Sequence, residues 1–284
     1  MGILRRQKVC TNGTTKRSKA DKERSKQLRQ ALKPSTQNTI RYTSLFEDGL
    51  MHITDEEYSK TWSLGDANYI TSSEDEKLDI IDYYVEALNG LDSENTYQLT
   101  ILNRPVPSTL LDQVTYELQG DANDRFREEY NDMIRSRFAT DQNNFKVVKY
   151  ITVSTQTKDR KQAYRKLNDI ENHFATQFQI VDVPIKALDG SQRLNIFNDL
   201  LRGNPYLNVS YRDVALSGLT TKSFIAPSRI FFQPDQMRLD KKYAKVLFIR
   251  NYPSFLNDRL IKSLTDIGIE LAITIHANPY DISE

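Results

Sequence analysis

The fold is decided by FKVVKYITV (residues 145–153) and the segment that follows it, DRKQAYRKLNDIENHFATQF (residues 159–178). The first segment is rich in β-branched and aromatic residues, which favour strands. The second repeats apolar residues at helical spacing, and this pattern predicts an amphipathic helix. Its apolar face comprises Tyr164, Leu167, Ile170, Phe174 and Phe178. A strand followed by such a helix indicates a sheet with helices packed on it.

The alternation of strands and helices continues on both sides of this stretch. Ser72 or Ser73 can cap a helix with an acidic first turn. Its predicted apolar face comprises Leu78, Ile81, Tyr84, Val85 and Leu88. Periodicity and turn residues predict the remaining elements. We expect two or three short antiparallel strands between residues 40 and 69, strands at 97–102, 180–183, 243–249 and 269–275, and helices at 109–117, 124–139, 191–202 and 254–267.

The expected fold class is α+β, with mixed sheets covered by helices on one side and with ferredoxin-like βαβ elements. We expect folded structure over residues 34–284, after a boundary marked by Lys33-Pro34. A sub-division near residues 203–218 is an open alternative, because Gly203-Asn204-Pro205 begins an irregular stretch there.

Charge is distributed unevenly along the chain. Residues 1–33 contain eleven Lys/Arg and two acids, a net charge of +9, whereas the remaining 28 Lys/Arg and 36 Asp/Glu give −8. Few large apolar residues occur in this basic arm, so we expect it to be disordered. It is either a solvated tail or an attachment to nucleic acid or to an anionic membrane surface. Candidate contacts to phosphate or lipid are Arg5, Arg6, Lys8, Lys16, Arg17 and Lys19.

No catalytic signature is recognisable in the sequence. The nearest approach to a phosphate-binding loop ends in Lys222-Ser223, but Leu216 and Thr221 occupy its two glycine positions. The three histidines are far apart, and the single Cys10 has no companion for a disulfide or a metal site. No apolar run approaches the roughly 20 residues of a membrane span. We therefore expect a cytoplasmic protein with no catalytic residue, metal or cofactor of its own.

Several segments carry a family resemblance in their order and spacing. They are KPSTQNTIRY (33–42), DGL (48–50), YSKTW (58–62), GLTTKSFIAPS (218–228) and LNDR (256–259). Together they resemble the N-terminal region of the conjugative type IV secretion ATPases, the TraE/TrbE/CagE-like family, in the form carried by mobile elements of Gram-positive bacteria. The most telling segment contains a family-like structural motif formed by Gly218, Thr220, Thr221, Lys222, Phe224 and Pro227.

The resemblance implies a role in conjugal transfer. The full-length relative would be an ATPase with a motor domain that binds and hydrolyses ATP, whereas the N-terminal region serves oligomer assembly and docking. This chain would then be the non-catalytic docking part, either truncated or encoded separately from its motor, and would bind no ATP itself. Its implied partners are membrane components of the secretion channel, a motor domain or further copies of itself, at the inner face of the cell membrane. The alternative is a nucleic-acid-binding accessory protein of conjugation that uses the basic arm.

Overall fold

The computed structural model describes residues 35–67, 72–107, 111–140, 144–204, 206–251 and 259–280. Its strands, in chain order, are β1 (Ser44–Leu45), β2 (Met51–Thr54), β3 (Glu57–Leu64), β4 (Asn95–Pro105), β5 (Phe145–Gln156), β6 (Ile185–Ala187), β7 (Ile230–Phe232), β8 (Met237–Leu239), β9 (Lys242–Ala244) and β10 (Leu271–Ala277). The α-helices of the described residues are α1 (Glu74–Asn89), α2 (Leu111–Val114), α3 (Asp124–Thr140), α4 (Arg160–Ile180), α5 (Gly190–Arg202), α6 (Tyr211–Ser217), α7 (Thr221–Ile225) and α8 (Arg259–Thr265).

The main sheet has seven strands in the order β1-β2-β3-β5-β4-β10, and β6 pairs with the end of β3. The α+β class is confirmed. Every pairing between described strands is antiparallel, so the sheets are antiparallel rather than mixed. The reason is that β5 lies between β3 and β4, the two strands that α1 connects, which is a split β-α-β arrangement. Membership of the ferredoxin-like fold stays a prediction.

The two faces of the sheet are packed differently because side chains alternate along β3. Trp62 points to one face, where it meets Phe174 of α4 with ring centroids 5.8 Å apart. α1 lies on this face too, and the core here includes Ile151 and Leu167. Ser59 points to the other face, toward α5. Helices therefore cover both faces, and the expectation of a single covered face is wrong.

A second, smaller core lies on the α5 side. Its buried members are Tyr42, Leu45, Met51, Leu194 and Ile225. Residues before β1 and residues of α7 thus pack on the same patch of the sheet. The segments on either side of the proposed sub-division are joined through this core.

Several predicted elements match the structure. Ser73 caps α1 and forms a capping box with Glu76. The helices predicted at 124–139, 159–178 and 191–202 correspond to α3, α4 and α5. The strands predicted at 97–102, 145–153 and 269–275 correspond to β4, β5 and β10.

Other predictions differ from the structure. The strand predicted at 180–183 is wrong, because α4 continues to Ile180 and the backbone turns at Asp182, which has a φ of 52°. The strand predicted at 243–249 is confined to Lys242–Ala244, in the small sheet β7-β8-β9. The helix predicted at 254–267 is seen as α8, and residues 252–258 lie outside the described residues. The irregular stretch after residue 203 contains α6 and α7.

The predicted apolar face of α1 is also partly wrong. Ala87 is buried, and Tyr84 and Leu88 pack against the main core. Leu78, Ile81 and Val85 are instead exposed on the outer side of the helix. Helical spacing identified apolar positions correctly but could not show that they form two stripes, of which only one meets the sheet.

Candidate docking surfaces

The most exposed apolar segment among the described residues begins two residues after the end of β9. Val246, Leu247 and Phe248 are 74%, 81% and 82% exposed, and Ile249 is 49% exposed. We call Val246–Ile249 the apolar run. All four residues have side chains that proteins normally bury, and the run has no regular secondary structure. Lys245 and Arg250 flank it, so a partner would meet an apolar segment with a basic residue at each end.

The small sheet places further aromatic residues near the apolar run in sequence. Phe231 of β7, Arg238 of β8 and Tyr243 of β9 are neighbours across the three strands. The Arg238 guanidinium lies 5.7 Å from the centroid of the Tyr243 ring. Phe231, Phe232 and Tyr243 are all exposed. Exposed aromatic residues with an arginine are typical of protein interfaces.

The outer side of α1 is a second exposed surface. Leu78, Ile81 and Val85 form an apolar stripe, which we call the α1 stripe. Asp75, Asp79, Asp82 and Glu86 recur beside it at intervals of four, three and four residues, and all are exposed. The one lysine of this helix, Lys77, forms an ion pair of 2.8 Å with Glu74. The outer side of α1 is thus both apolar and strongly acidic.

The helix α3 carries a third exposed apolar surface, with Phe126, Tyr130 and Met133 at helical spacing. It lies in the connection between β4 and β5 and packs on the loop before it. The rings of Tyr116 and Tyr130 are 5.1 Å apart, and Asn131 exchanges two hydrogen bonds of 2.8 Å with the backbone of Tyr116. Unlike α1, this helix has four acids and four arginines, so its net charge is zero.

A groove of about 660 Å³ runs between α5 and strands β4 and β5. Its most prominent charged group is Arg104, which donates to the Asp199 carboxylate at 2.5 and 2.6 Å and to Glu270 at 3.3 Å. These two acids neutralise the guanidinium. The groove therefore offers shape and apolar walls, but Arg104 has no spare charge for an anion.

Arg193 is a buried charged residue between α5 and the face of the sheet that α5 covers. Its guanidinium donates to the carbonyls of Gly49 and Ser59 at 2.7 and 3.0 Å, and to Ser59 Oγ at 3.2 Å. Burial lowers the pKa of Arg193 to about 10, so the side chain is still charged at neutral pH. It clamps the β2–β3 hairpin to α5. Sequence reasoning missed this residue, because nothing in the sequence distinguishes it from an exposed arginine.

The family-like motif forms a packed corner. Gly218 ends α6 with a φ of 67°, a conformation that favours glycine, and Thr220 occupies the N-cap position of α7 without a side-chain capping hydrogen bond. Thr221 Oγ1 lies 2.9 Å from the hydroxyl of Tyr42, and the Lys222 ammonium lies 5.0 Å from the ring centroid of the same tyrosine. Partial burial lowers the pKa of Lys222.

The rest of the motif also makes packing contacts. The carbonyl of Phe224 accepts a hydrogen bond of 2.8 Å from Arg202, and Pro227 precedes β7. Tyr42 belongs to the first of the family-like segments, 33–42, so the structure joins two of these segments in one corner. The motif is built from core packing and from the glycine that ends α6. The six arm residues from Arg5 to Lys19 lie outside the described residues.

The histidines and acidic residues that the structure describes form no recognisable metal site. No group of three or more His, Cys, Asp or Glu side chains there is arranged to hold a metal ion. His52 stacks on Tyr58 with ring centroids 4.5 Å apart, and His173 lies 3.3 Å from the carbonyl of Glu86. The first is a ring-packing contact and the second a hydrogen bond to a backbone carbonyl. None of the described helices is both long and apolar enough to span a bilayer.

Comparison with models of known protein families finds no match, and a search among curated proteins finds none either. The resemblance to conjugation ATPases therefore rests on the quoted segments alone.

Proposed function

We propose that this chain is a non-catalytic docking and assembly part of a conjugative DNA-transfer apparatus of the type IV secretion class. It acts in the cytoplasm at the inner face of the cell membrane. The observation that carries the proposal is the exposure of the apolar run, Val246–Ile249. The resemblance to the N-terminal region of conjugation ATPases supplies the kind of assembly.

Burial of the apolar run against a partner would be energetically favourable. Burying a Val, Leu, Ile or Phe side chain stabilises by about 1.5–3 kcal/mol. The four side chains together could contribute about 6–12 kcal/mol on complete burial, which is comparable to the roughly 4–15 kcal/mol cost of association. A stable complex therefore needs a second contact, and the exposed aromatic residues of β7 and β9 would provide it.

The run combines strand-favouring residues with the absence of regular secondary structure, which suits a particular mode of binding. An extended apolar segment can add as a strand to the edge of a partner's sheet, where backbone hydrogen bonds give affinity and side-chain pockets give specificity. Lys245 and Arg250 at its ends would favour a partner with acidic residues beside that edge. Under this proposal the partner is a membrane component of the secretion channel, a motor domain or a second copy of this chain, and ATP hydrolysis belongs to the motor.

The proposal is tested with purified channel components and the purified motor domain of the same mobile element. We expect at least one of them to bind the full chain in a defined stoichiometry, measured by sedimentation velocity. Failure of all of these components and of the chain itself to associate would contradict the docking function.

The charge asymmetry favours a second candidate function, a nucleic-acid-binding accessory protein of conjugation. Its basis is the +9 charge of residues 1–33 against the −8 charge of the remaining chain. Lysine and arginine side chains in such an arm would neutralise phosphates and release counterions. This function would be independent of the apolar run.

A further inference from the structure

The outer side of α1 has the chemistry of a covered surface. The helix has six acids and one lysine, a net charge of −5, and its α1 stripe is exposed, with Leu78 at 59%. Exposed acids alone would be an ordinary solvated face. Three large apolar side chains beside them are better explained by a ligand that is apolar and basic at once.

One segment of this chain has that composition. Residues 3–9 read Ile-Leu-Arg-Arg-Gln-Lys-Val, with three apolar and three basic side chains in seven positions. The remaining arm, residues 10–33, contains only Leu28 and Leu32 as large apolar residues. The N-terminal end of the arm is therefore the part of it that matches the α1 stripe and its acidic flank.

The chain is long enough to bring the two together. The described structure begins at Ser35, so about 25 residues separate it from Val9. A chain of about 25 residues can span up to about 80–90 Å, and a folded body of this size has a radius of gyration of about 18 Å. The end of the arm can thus reach any side of the body.

We propose that residues 3–9 dock on the outer side of α1 of the same chain, with Ile3, Leu4 and Val9 on the α1 stripe and with Arg5, Arg6 and Lys8 beside its acidic residues. Exposed ion pairs are screened by solvent and each contributes little, so the contact is weak. Because both partners belong to one chain, their effective concentration is in the millimolar range, which is enough to populate a contact with a dissociation constant of about 1 mM.

The contact would have a regulatory consequence. Arg5, Arg6 and Lys8 cannot pair with the carboxylates of α1 and neutralise phosphates at the same time. Docking would therefore keep these three residues from binding phosphates. A phosphate-rich surface would compete for them and release the arm from α1. Salt would also release it, because the Debye length falls from about 10 Å at 0.1 M to about 3 Å at 1 M.

The sequence supplies a natural probe for the test. Cys10 is the only cysteine and lies beside the proposed docking segment, so a nitroxide label on it reports where the arm lies. At about 50 mM salt we expect the label to broaden the amide NMR signals of Asp79, Asp82 and Glu86 on α1. The matched control helix is α3, which exposes similar apolar residues but has no net charge. Signals of Glu128 and Asp132 there should broaden several-fold less.

Two variants make the result decisive. In D75N/D79N/D82N we expect the broadening on α1 to fall several-fold, whereas E128Q/E129Q/D132N on α3 should leave it unchanged. Equal broadening on both helices, or broadening on α1 that survives D75N/D79N/D82N, would overturn the proposal. A mixture of unlabelled isotope-enriched chain and labelled unenriched chain distinguishes docking within one chain from docking between two chains. Equally strong broadening in that mixture would overturn docking within one chain. None of these results depends on the apolar run.

Discussion

Arg193 places a buried positive charge between α5 and the β2–β3 hairpin. The side chain satisfies two carbonyl oxygens and one hydroxyl, and its removal would leave buried acceptors without a donor. Hydrogen bonds to charged groups contribute about 1.5–3 kcal/mol each, and an unsatisfied buried group costs about 1–3 kcal/mol.

We therefore expect Arg193→Ala to lower the free energy of unfolding by about 3 kcal/mol, measured by urea denaturation. Arg202 on the same helix is exposed and makes one bond to the carbonyl of Phe224, so it is the matched control. Arg202→Ala should cost less than about 1 kcal/mol. Equal losses in the two variants would show that Arg193 does not clamp the hairpin.

Gly218 tests the corner formed by the family-like motif. Its φ is 67°, and a Cβ added there would meet nothing within 4 Å, so backbone strain alone decides the cost of a substitution. We expect Gly218→Ala to cost about 1–2 kcal/mol in urea unfolding, because L-residues with a Cβ disfavour this conformation. Gly218→Asn should cost less, since asparagine tolerates it better. An alanine variant as stable as the wild type would refute this explanation of the glycine.

At the scale of single residues, the sequence predicts those positions whose local pattern is sufficient. Leu167, Phe174 and Phe178 are buried as their spacing predicts. Arg193 and the pair of Tyr42 and Thr221 could not be predicted, because their partners lie 134–144 and 179 residues away along the chain.

The prediction of strands and helices has the same limit, because contacts with distant segments also determine which element forms. The strand predicted at 243–249 has the right composition, yet strand formation requires a neighbour, and the described residues offer none to the apolar run. The helix α4 extends through Ile180, where an apolar sequence suggested a strand, because its helical face continues to Phe178 on the core. The amino-acid composition of a segment indicates which element it can form, but the neighbouring segments in the fold determine which element it does form.

The basic arm is the element on which the second candidate function depends. If it binds nucleic acid, deletion of residues 1–33 should abolish binding to duplex DNA, measured by fluorescence anisotropy. The intact chain should lose about 10³-fold or more in affinity between 50 and 200 mM salt if six or more phosphates are neutralised. Unchanged DNA binding after the deletion would exclude the arm as the binding element.

For the whole molecule, the order of elements between residues 72 and 202 follows from the sequence, because local periodicity is strong there. The antiparallel pairing of the sheet and the helices on both faces do not, since they depend on contacts between distant segments. The sequence alone also does not identify the surfaces that we propose for docking. The α1 stripe and the apolar run both read as core segments, and only their exposure in the folded chain indicates a binding role.

The most direct test of the docking function is the affinity of the full chain for the channel or motor component that binds it. Two glutamates placed in the apolar run, L247E/F248E, should weaken binding at least tenfold, which corresponds to about 1.4 kcal/mol. The control N172D/Q179E adds the same charge at two exposed positions of α4, away from the β7-β8-β9 sheet in the chain, and should change affinity less than twofold. Equal affinities of both variants and the wild-type chain would contradict the proposal that this chain docks through Val246–Ile249.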